Sequence, residues 1–478
     1  MSKLKNIIKQ LTNEDLDNIF KNLMSNGAEK TAQLLKFLRD KQLSDAKIME
    51  ELGVKPNAYY TLRSRLNQKI EEYLLQQMEN PRTDLLKKVA NIEKIIFTKK
   101  RTIAITTLKK LEKELLDYDL SNELTIIYKL LKRLHINHED HFTYKQLYNK
   151  HIAYMLAFDK SEDIVAEYFK KYGQFFLTNN SQLKFELSLL FKEIVNVSKL
   201  YQSHRLYVNQ SLVYVFHRLF VDEGDPSDAS EEPVEDVLRE IERIFEIYYL
   251  DTTYYHLKKV LDFLKFEYYT HHKVYKKAEK YYEEVNSHLP LLISNYGLYT
   301  FPPILLFTKL NRALRIGLEK ELYEETKSQF QDFETNSDDL PQYITYYVYR
   351  ALVCYYADKF DEASKWLNKL LNEISFKKYP EALLEVKLLL LLQYCLLDDQ
   401  DLFNQLLSST QRQIRALGRE NCDSIVSYLK MLRVSISESG KPKLQKIKAL
   451  MGRIFPQDYP FSTLNLIKFD EKLLELLM

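Results

Sequence analysis

Leu124, Ile127, Leu130, Leu131 and Leu134 fall three and four residues apart, so they form one apolar stripe along a helix whose other side is polar. The same period recurs along most of the chain. Helix-length segments of about 12–20 residues alternate with short polar breaks. Such breaks occur at Ser121-Asn122, Asn179-Asn180-Ser181, Ser337-Asp338-Asp339 and Asp398-Asp399. Turns this short force consecutive helices to lie antiparallel, which predicts an all-α chain of helical hairpins.

A separate pattern occupies the first hundred residues. Thr31 to Arg39 places Leu34, Leu35 and Leu38 on one helix face. A turn is predicted at Lys41-Gln42-Leu43. Ser44 follows as an N-cap, with Lys47 where a capping box has an acid. The next helix runs from about Asp45 to Leu52, and Gly53 suits the left-handed position at its end. Val54-Lys55-Pro56-Asn57 is a turn, and a third helix continues from about Ala58 to Gln77.

Composition narrows the fold class. Glycine and proline number only 9 and 12 of 478 residues, about 4% against roughly 12% in average usage. Folds that spend glycine on hairpin turns and phosphate loops are excluded, as are flexible Gly/Ser or Pro-rich linkers. With 45% hydrophobic and 13% aromatic residues, the chain is not a disordered polymer. Its length exceeds one ordinary core. The clearest composition break is Asp222 to Asp236, with eight acidic residues, no basic ones and two prolines. It reads as a linker or exposed loop. The domains expected are residues 1–95, a hairpin region 96–221, the acidic segment 222–236, and a repeat region 237–478.

Charge is uneven. Residues 1–110 hold 22 Lys/Arg and 13 Asp/Glu, a net of +9, whereas the remainder holds 47 and 54, a net of −7. This asymmetry suggests a polyanion partner for the N-terminal end, the plain alternative being solvated lysine-rich helix faces. Lys99-Lys100-Arg101 and Lys109-Lys110 extend that basic bias or simply end helices. Cys354, Cys395 and Cys422 are odd in number and far apart, so they are not a disulfide framework. The most apolar run, Val386 to Leu397, is too short and too interrupted for a membrane span, and no signal-peptide pattern opens the chain. A reducing cytoplasm is the expected location.

The positions Ile48, Leu52, Gly53, Val54, Tyr59 and Leu62 resemble a helix-turn-helix. Ile48 to Leu66 is similar to region four of sigma factors and to response-regulator output domains. The resemblance implies that the helix from Ala58 lies in the major groove of DNA, with Asn57, Tyr60, Thr61, Arg63, Ser64 and Lys69 exposed. Arg63 and Arg65 are two residues apart and point to different faces. One then contacts bases or phosphate while the other positions the backbone. Lys55, at the turn, is placed for a phosphate. Glu50, Glu51, Glu71 and Glu72 flank this helix and oppose phosphate approach.

Arg350 to Leu371 carries Ala351, Cys354, Tyr355, then Asp358-Lys359-Phe360-Asp361-Glu362-Ala363, then Leu367 and Leu370. This resembles a tetratricopeptide repeat, in which a small residue on the first helix, an aromatic near the turn and an alanine on the second helix pack together. Ala351, Phe360 and Ala363 fill those places. A second unit has Tyr269, Tyr275, Ala278, Tyr282 and Pro290, with bulky Phe266 where the small residue belongs. Aligning Ala278, Thr326, Ala363 and Leu406 gives spacings of 48, 37 and 43 residues, longer than the family's period of about 34. The resemblance covers roughly residues 250–415. Tyrosine is abundant, at 35 residues, with pairs such as Tyr248-Tyr249, Tyr254-Tyr255, Tyr281-Tyr282 and Tyr346-Tyr347. These rings either fill the space between stacked hairpins or line a groove for a peptide.

A helix-turn-helix head joined to such repeats resembles the layout of peptide-sensing transcription regulators of bacteria and phage. That layout implies double-stranded DNA bound through residues 30–77, a peptide or protein in the repeat groove, and a homodimer formed through the repeats. The alternative is a protein-interaction scaffold whose N-terminal helices also bind protein. No cofactor is expected. No phosphate loop or dinucleotide fingerprint occurs, and Gly440-Lys441 lacks the upstream glycine of a Walker motif. His135, His138 and His141, with His151 nearby, sit in a polar inter-helix loop, and the adjacent His271-His272 cannot chelate from one face. No nucleophile has a signature environment, and no enzyme is expected.

Overall fold

The computed structural model describes residues 4, 7–8, 11, 13–40, 45–77, 81–222, 232–249, 252–295, 301–331, 333, 335–419 and 422–478. The predicted turn at Lys41-Gln42-Leu43, the predicted cap Ser44 and residues 223–231 of the acidic segment lie outside them. Among the described residues the protein is all-α, with 24 α-helices and no strand. In order these are α1 (Asn13–Ser25), α2 (Glu29–Asp40), α3 (Asp45–Leu52), α4 (Pro56–Gln77), α5 (Pro81–Ala90), α6 (Ile92–Thr98), α7 (Arg101–Asp117), α8 (Ser121–Leu134), α9 (Asp140–Thr178), α10 (Ser181–Ser198), α11 (His204–Phe220), α12 (Val234–Ile247), α13 (Thr252–His271), α14 (Tyr275–Ser287), α15 (Leu289–Asn295), α16 (Ile304–Ile316), α17 (Leu322–Gln329), α18 (Leu340–Tyr356), α19 (Phe360–Glu373), α20 (Pro380–Leu396), α21 (Gln400–Ala416), α22 (Asp423–Ser437), α23 (Lys441–Met451) and α24 (Glu471–Leu476). No helix among the described residues is long and apolar enough to cross a membrane.

Consecutive helices contact one another in pairs: α7 with α8, α10 with α11, α13 with α14, α18 with α19, α20 with α21, and α22 with α23. Several helix-ending turns do without glycine. Asp119, Asn179, Lys273, Asp358 and Asp398 each adopt a left-handed backbone, with φ of 51°, 50°, 58°, 59° and 54°, just past a helix end. At α18 the Lys359 amide donates to the Cys354 carbonyl at 2.9 Å and the Asp358 amide to the Tyr355 carbonyl at 3.0 Å. These bonds satisfy carbonyls in the last turn of the helix. Asp and Asn tolerate this conformation better than other L-residues, so they take a place that glycine usually fills. The next residue then often starts a helix: the Asp399 carboxylate accepts from the Leu402 amide at 3.1 Å, capping α21. The break predicted at Ser121-Asn122 falls slightly earlier, because Asp119 makes the turn and Ser121 already opens α8.

Two compact units divide the chain, Met1–Asn149 and Lys150–Met478. The first holds two hydrophobic cores. One gathers Leu16, Ile19, Leu34, Leu35, Ile48, Tyr59, Leu66 and Ile70 from α1 to α4. The other gathers Leu85, Leu108, Leu111, Leu115, Leu124, Ile127 and Leu131 from α5, α7 and α8, so most of the predicted stripe on α8 faces inward.

The second unit has one continuous core. Its C-terminal stretch runs back over the helices. The Tyr459 hydroxyl donates to the Leu177 carbonyl at 2.6 Å. The Phe461 ring lies 5.6 Å from Phe176 and 5.7 Å from Phe307. Buried Glu385 on α20 accepts from the Thr463 amide at 2.7 Å and from its hydroxyl at 2.9 Å.

Candidate functional site

The α3–α4 corner is made by Gly53. Its φ of 60° is left-handed, and no atom lies within 4 Å of where a Cβ would stand, so backbone conformation alone selects glycine there. The Gly53 amide donates to the Glu50 carbonyl and the Val54 amide to the Met49 carbonyl, both at 3.1 Å, closing the end of α3. Pro56 then opens α4, where its missing N–H costs nothing. The helix therefore begins two residues before the predicted Ala58, and Asn57 lies within it.

The inward face of α4 is apolar. Tyr59, Leu66 and Ile70 are buried and Leu62 is half-buried, against Ile48 and Leu52 from α3 and Leu34 and Leu35 from α2. Burial, and then the nearby Asp45 carboxylate, pushes the Tyr59 phenol up to about 12, so it stays protonated. The outward face carries Lys55 at the turn, then Asn57, Tyr60, Thr61, Ser64, Arg65 and Lys69, all exposed. Tyr60 is 59% exposed, unusual for a ring of that size.

Arg63 behaves differently from its neighbours. It is half-buried, with Nη1 3.3 Å from Asp45 Oδ2, and its guanidinium lies 5.8 Å and 6.0 Å from the Tyr59 and Tyr60 ring centres. It ties α4 to the start of α3. Lys69 Nζ meets Glu72 Oε2 at 2.6 Å on its own helix. Lys55 and Arg65 form no ion pair with a described residue, so they carry the uncompensated charge of this face. The Thr61 hydroxyl donates to the Asn57 carbonyl at 2.9 Å. Sequence reasoning does not single out Asp45 as a partner of Arg63. An acid in the first turn of a helix is expected for local reasons alone, and nothing in the spacing marks a contact 18 residues away.

The repeat residues occupy packing positions. Ala351 on α18 and Ala363 on α19 are fully buried, and Phe360 is half-buried 6.1 Å from Tyr355. Ala278 is buried on α14. Tyr275, at the start of that helix, is exposed, with the Arg315 guanidinium 3.7 Å from its ring centre. Bulky Phe266 is buried on α13, 5.6 Å from Tyr282. The tyrosine pairs divide: Tyr346 and Tyr347 are buried, whereas Tyr249 is 73% exposed.

Two histidines of the 135–141 cluster have structural partners. His135 Nδ1 lies 2.8 Å from the Leu131 carbonyl and His141 Nδ1 2.9 Å from the Lys132 carbonyl, so both serve the end of α8. Among the described residues no three His, Cys, Asp or Glu side chains are placed to hold a metal ion. Burial pushes the Cys354 thiol up to about 12 and the Cys395 thiol up to about 11, which keeps both in the unreactive thiol form at neutral pH. No protein-family model, curated protein or solved structure matches this chain.

Proposed function

We propose that this chain is a DNA-binding transcription regulator without catalytic activity. Residues 30–77 act as a helix-turn-helix whose second helix, α4, enters the major groove of double-stranded DNA. The later helical pairs act as tetratricopeptide-like repeats that bind a peptide or protein partner or join two chains into a dimer. Two heads on one dimer raise affinity through effective concentration and suit a two-fold operator. The observation that carries this reading is the division of α4, with Tyr59, Leu62, Leu66 and Ile70 inward and Asn57, Tyr60, Thr61, Ser64 and Arg65 outward, and Lys55 exposed in the turn before it. Amide, hydroxyl and guanidinium groups on an exposed helix are the chemistry that reads base edges and phosphates.

The test is a mobility shift with the full-length protein and DNA fragments from upstream of its own gene, repeated across salt concentrations. Retarded complexes that weaken steeply with salt are expected. Absence of salt-sensitive binding sinks the reading. A second reading, a protein-interaction scaffold, draws support from the pairing of Arg63 with Asp45 and of Lys69 with Glu72, and from exposed Glu71, which together leave little positive charge on α4. Recovery of abundant protein partners without nucleic acid favours it.

A further inference from the structure

Between α23 and α24, residues 454–470 contain no α-helix and one 3-10 turn, Thr463–Leu466. A chain in this state cannot pair its own backbone N–H and C=O groups. Side chains distant in sequence pair them instead. Ser424 Oγ accepts from the Phe455 amide at 3.0 Å, and the Asn179 side-chain amide donates to the Asp458 carbonyl at 3.0 Å. The Tyr356 hydroxyl donates to the Leu466 carbonyl at 2.7 Å and accepts from the Lys468 amide at 3.1 Å. Glu385 accepts from the Thr463 amide at 2.7 Å. Tyr356, Glu385 and Ser424 belong to α18, α20 and α22, each the first helix of its pair. The first helices therefore line one surface, and the segment lies along it.

Bonds to a backbone are indifferent to the side chains of the chain they hold, so pockets supply the selectivity. Two buried rings fill pockets here. Phe461 lies against Phe176 and Phe307, and Tyr459 reaches the Leu177 carbonyl. Pro460 stands exposed between them. Glu385 adds a third element of recognition. A segment that only fills a core needs no carboxylate beneath it, yet Glu385 is 1% exposed and its Oε2 accepts from both the amide and the hydroxyl of Thr463. A buried acid is costly unless donors meet it. The surface thus favours an occupant that presents an N–H and an O–H at that point.

We propose that residues 455–469 occupy in cis a groove built for an extended peptide, and that a partner peptide of the pattern aromatic-x-aromatic-x-Thr exchanges with them. The inference rests on the peptide-binding half of the proposed function and places that peptide on α16, α18, α20 and α22. The probe is a fluorescein-labelled peptide with the sequence of residues 455–468, titrated by anisotropy into the full-length protein. The tethered segment competes at high effective concentration, so the full-length Phe461→Ala variant, whose own segment is loosened, binds the probe roughly tenfold or more tighter than the parent. The same peptide carrying Tyr459→Ala and Phe461→Ala binds this variant at least roughly tenfold more weakly, having lost both rings. Adding Tyr356→Phe, which removes the hydroxyl that serves Leu466 and Lys468, weakens the probe roughly fivefold. Cooperative thermal unfolding, followed by circular dichroism, checks that each variant is folded. Should Phe461→Ala not fold, Thr463→Val takes its place, since it removes only the hydroxyl bond to Glu385. Probe binding no tighter to the folded variant than to the parent, or equal binding of the alanine peptide, overturns the proposal. Loss of folding in both variants also overturns it, making the segment a fixed part of the core. The probe is the chain's own sequence and no DNA is present. Failure here therefore leaves DNA binding by α4, and a partner on another surface, standing, and failure of the mobility shift leaves this titration unaffected.

Discussion

Arg63 Nη1 and Asp45 Oδ2 stand 3.3 Å apart, joining the second turn of α4 to the first residue of α3. The pair engages a cation that a linear reading places on DNA. Arg65 is exposed and unpaired among the described residues. The two arginines therefore have separable roles. Arg63→Ala is expected to lower the stability of the α1–α4 core by roughly 0.5–1 kcal/mol, the size of a half-exposed ion pair. Arg65→Ala is expected to leave stability within about 0.5 kcal/mol. It should weaken DNA uniformly across sequences and reduce the salt slope by about one. Hydrogen exchange at the Ile48 and Leu66 amides, read beside salt-dependent binding, separates them. Identical behaviour of the two variants would refute the division.

Left-handed turn positions predict opposite outcomes for two substitutions. Gly53→Ala meets no steric obstacle, so its cost is backbone conformation alone, about 1 kcal/mol. Lys273 holds φ 58° without the local hydrogen bonding that Asp or Asn supplies. Lys273→Gly is therefore expected to stabilise by roughly 0.5 kcal/mol, after subtracting the greater chain entropy of glycine in the unfolded state. Denaturant midpoints check both signs. A destabilised Lys273→Gly contradicts the account.

Glu267 is buried on α13, where the Thr308 hydroxyl donates to its Oε2 at 3.1 Å. Burial pushes its carboxyl up from 4.5 to about 8. A folded-state value above the unfolded one means that this group's contribution is full below about 4.5 and is lost as pH rises toward 8. Glu267→Gln removes that dependence. Its stability relative to the parent should rise by about 1.4 kcal/mol per pH unit across the window. Denaturant unfolding at pH 5 and pH 8 measures it, and an equal difference at both values argues against a protonated buried acid.

Gly173 sits within α9, where alanine normally gains about 1 kcal/mol over glycine in helix propensity. A Cβ there would stand 2.9 Å from Phe301 Cε2 and 3.1 Å from Pro341 Cβ. The Phe301 ring is buried against Tyr172 and Phe176. Overpacking of about 1–3 kcal/mol is expected to win. Gly173→Ala should lower the thermal midpoint of the Lys150–Met478 unit. A raised midpoint shows that Phe301 yields.

Local chemistry made much of this molecule legible. Period-three-and-four spacing marks Leu124, Ile127 and Leu131 as inward, and they are buried. Ile48, Leu52, Gly53 and Tyr59 were readable as a corner between two helices, because helix ends and apolar stripes depend on residues only a few positions apart. The low glycine count was legible as a helical chain, but not the substitution of Asp and Asn at the turns.

On its own the sequence determined the all-α class and the pairing of consecutive helices, since both depend on short-range periodicity and turn chemistry. It placed Arg63 among the exposed residues of α4, where the structure half-buries it against Asp45. Only the tertiary structure decided which cations are spent internally. Arg63 meets an acid 18 positions away, Lys468 meets Glu319 across 149 positions, and Arg350 meets none among the described residues. The return of Tyr459 to Leu177, 282 positions apart, was equally unreadable. Charge pairing and close approach depend on distances in space, which spacing along one chain does not encode.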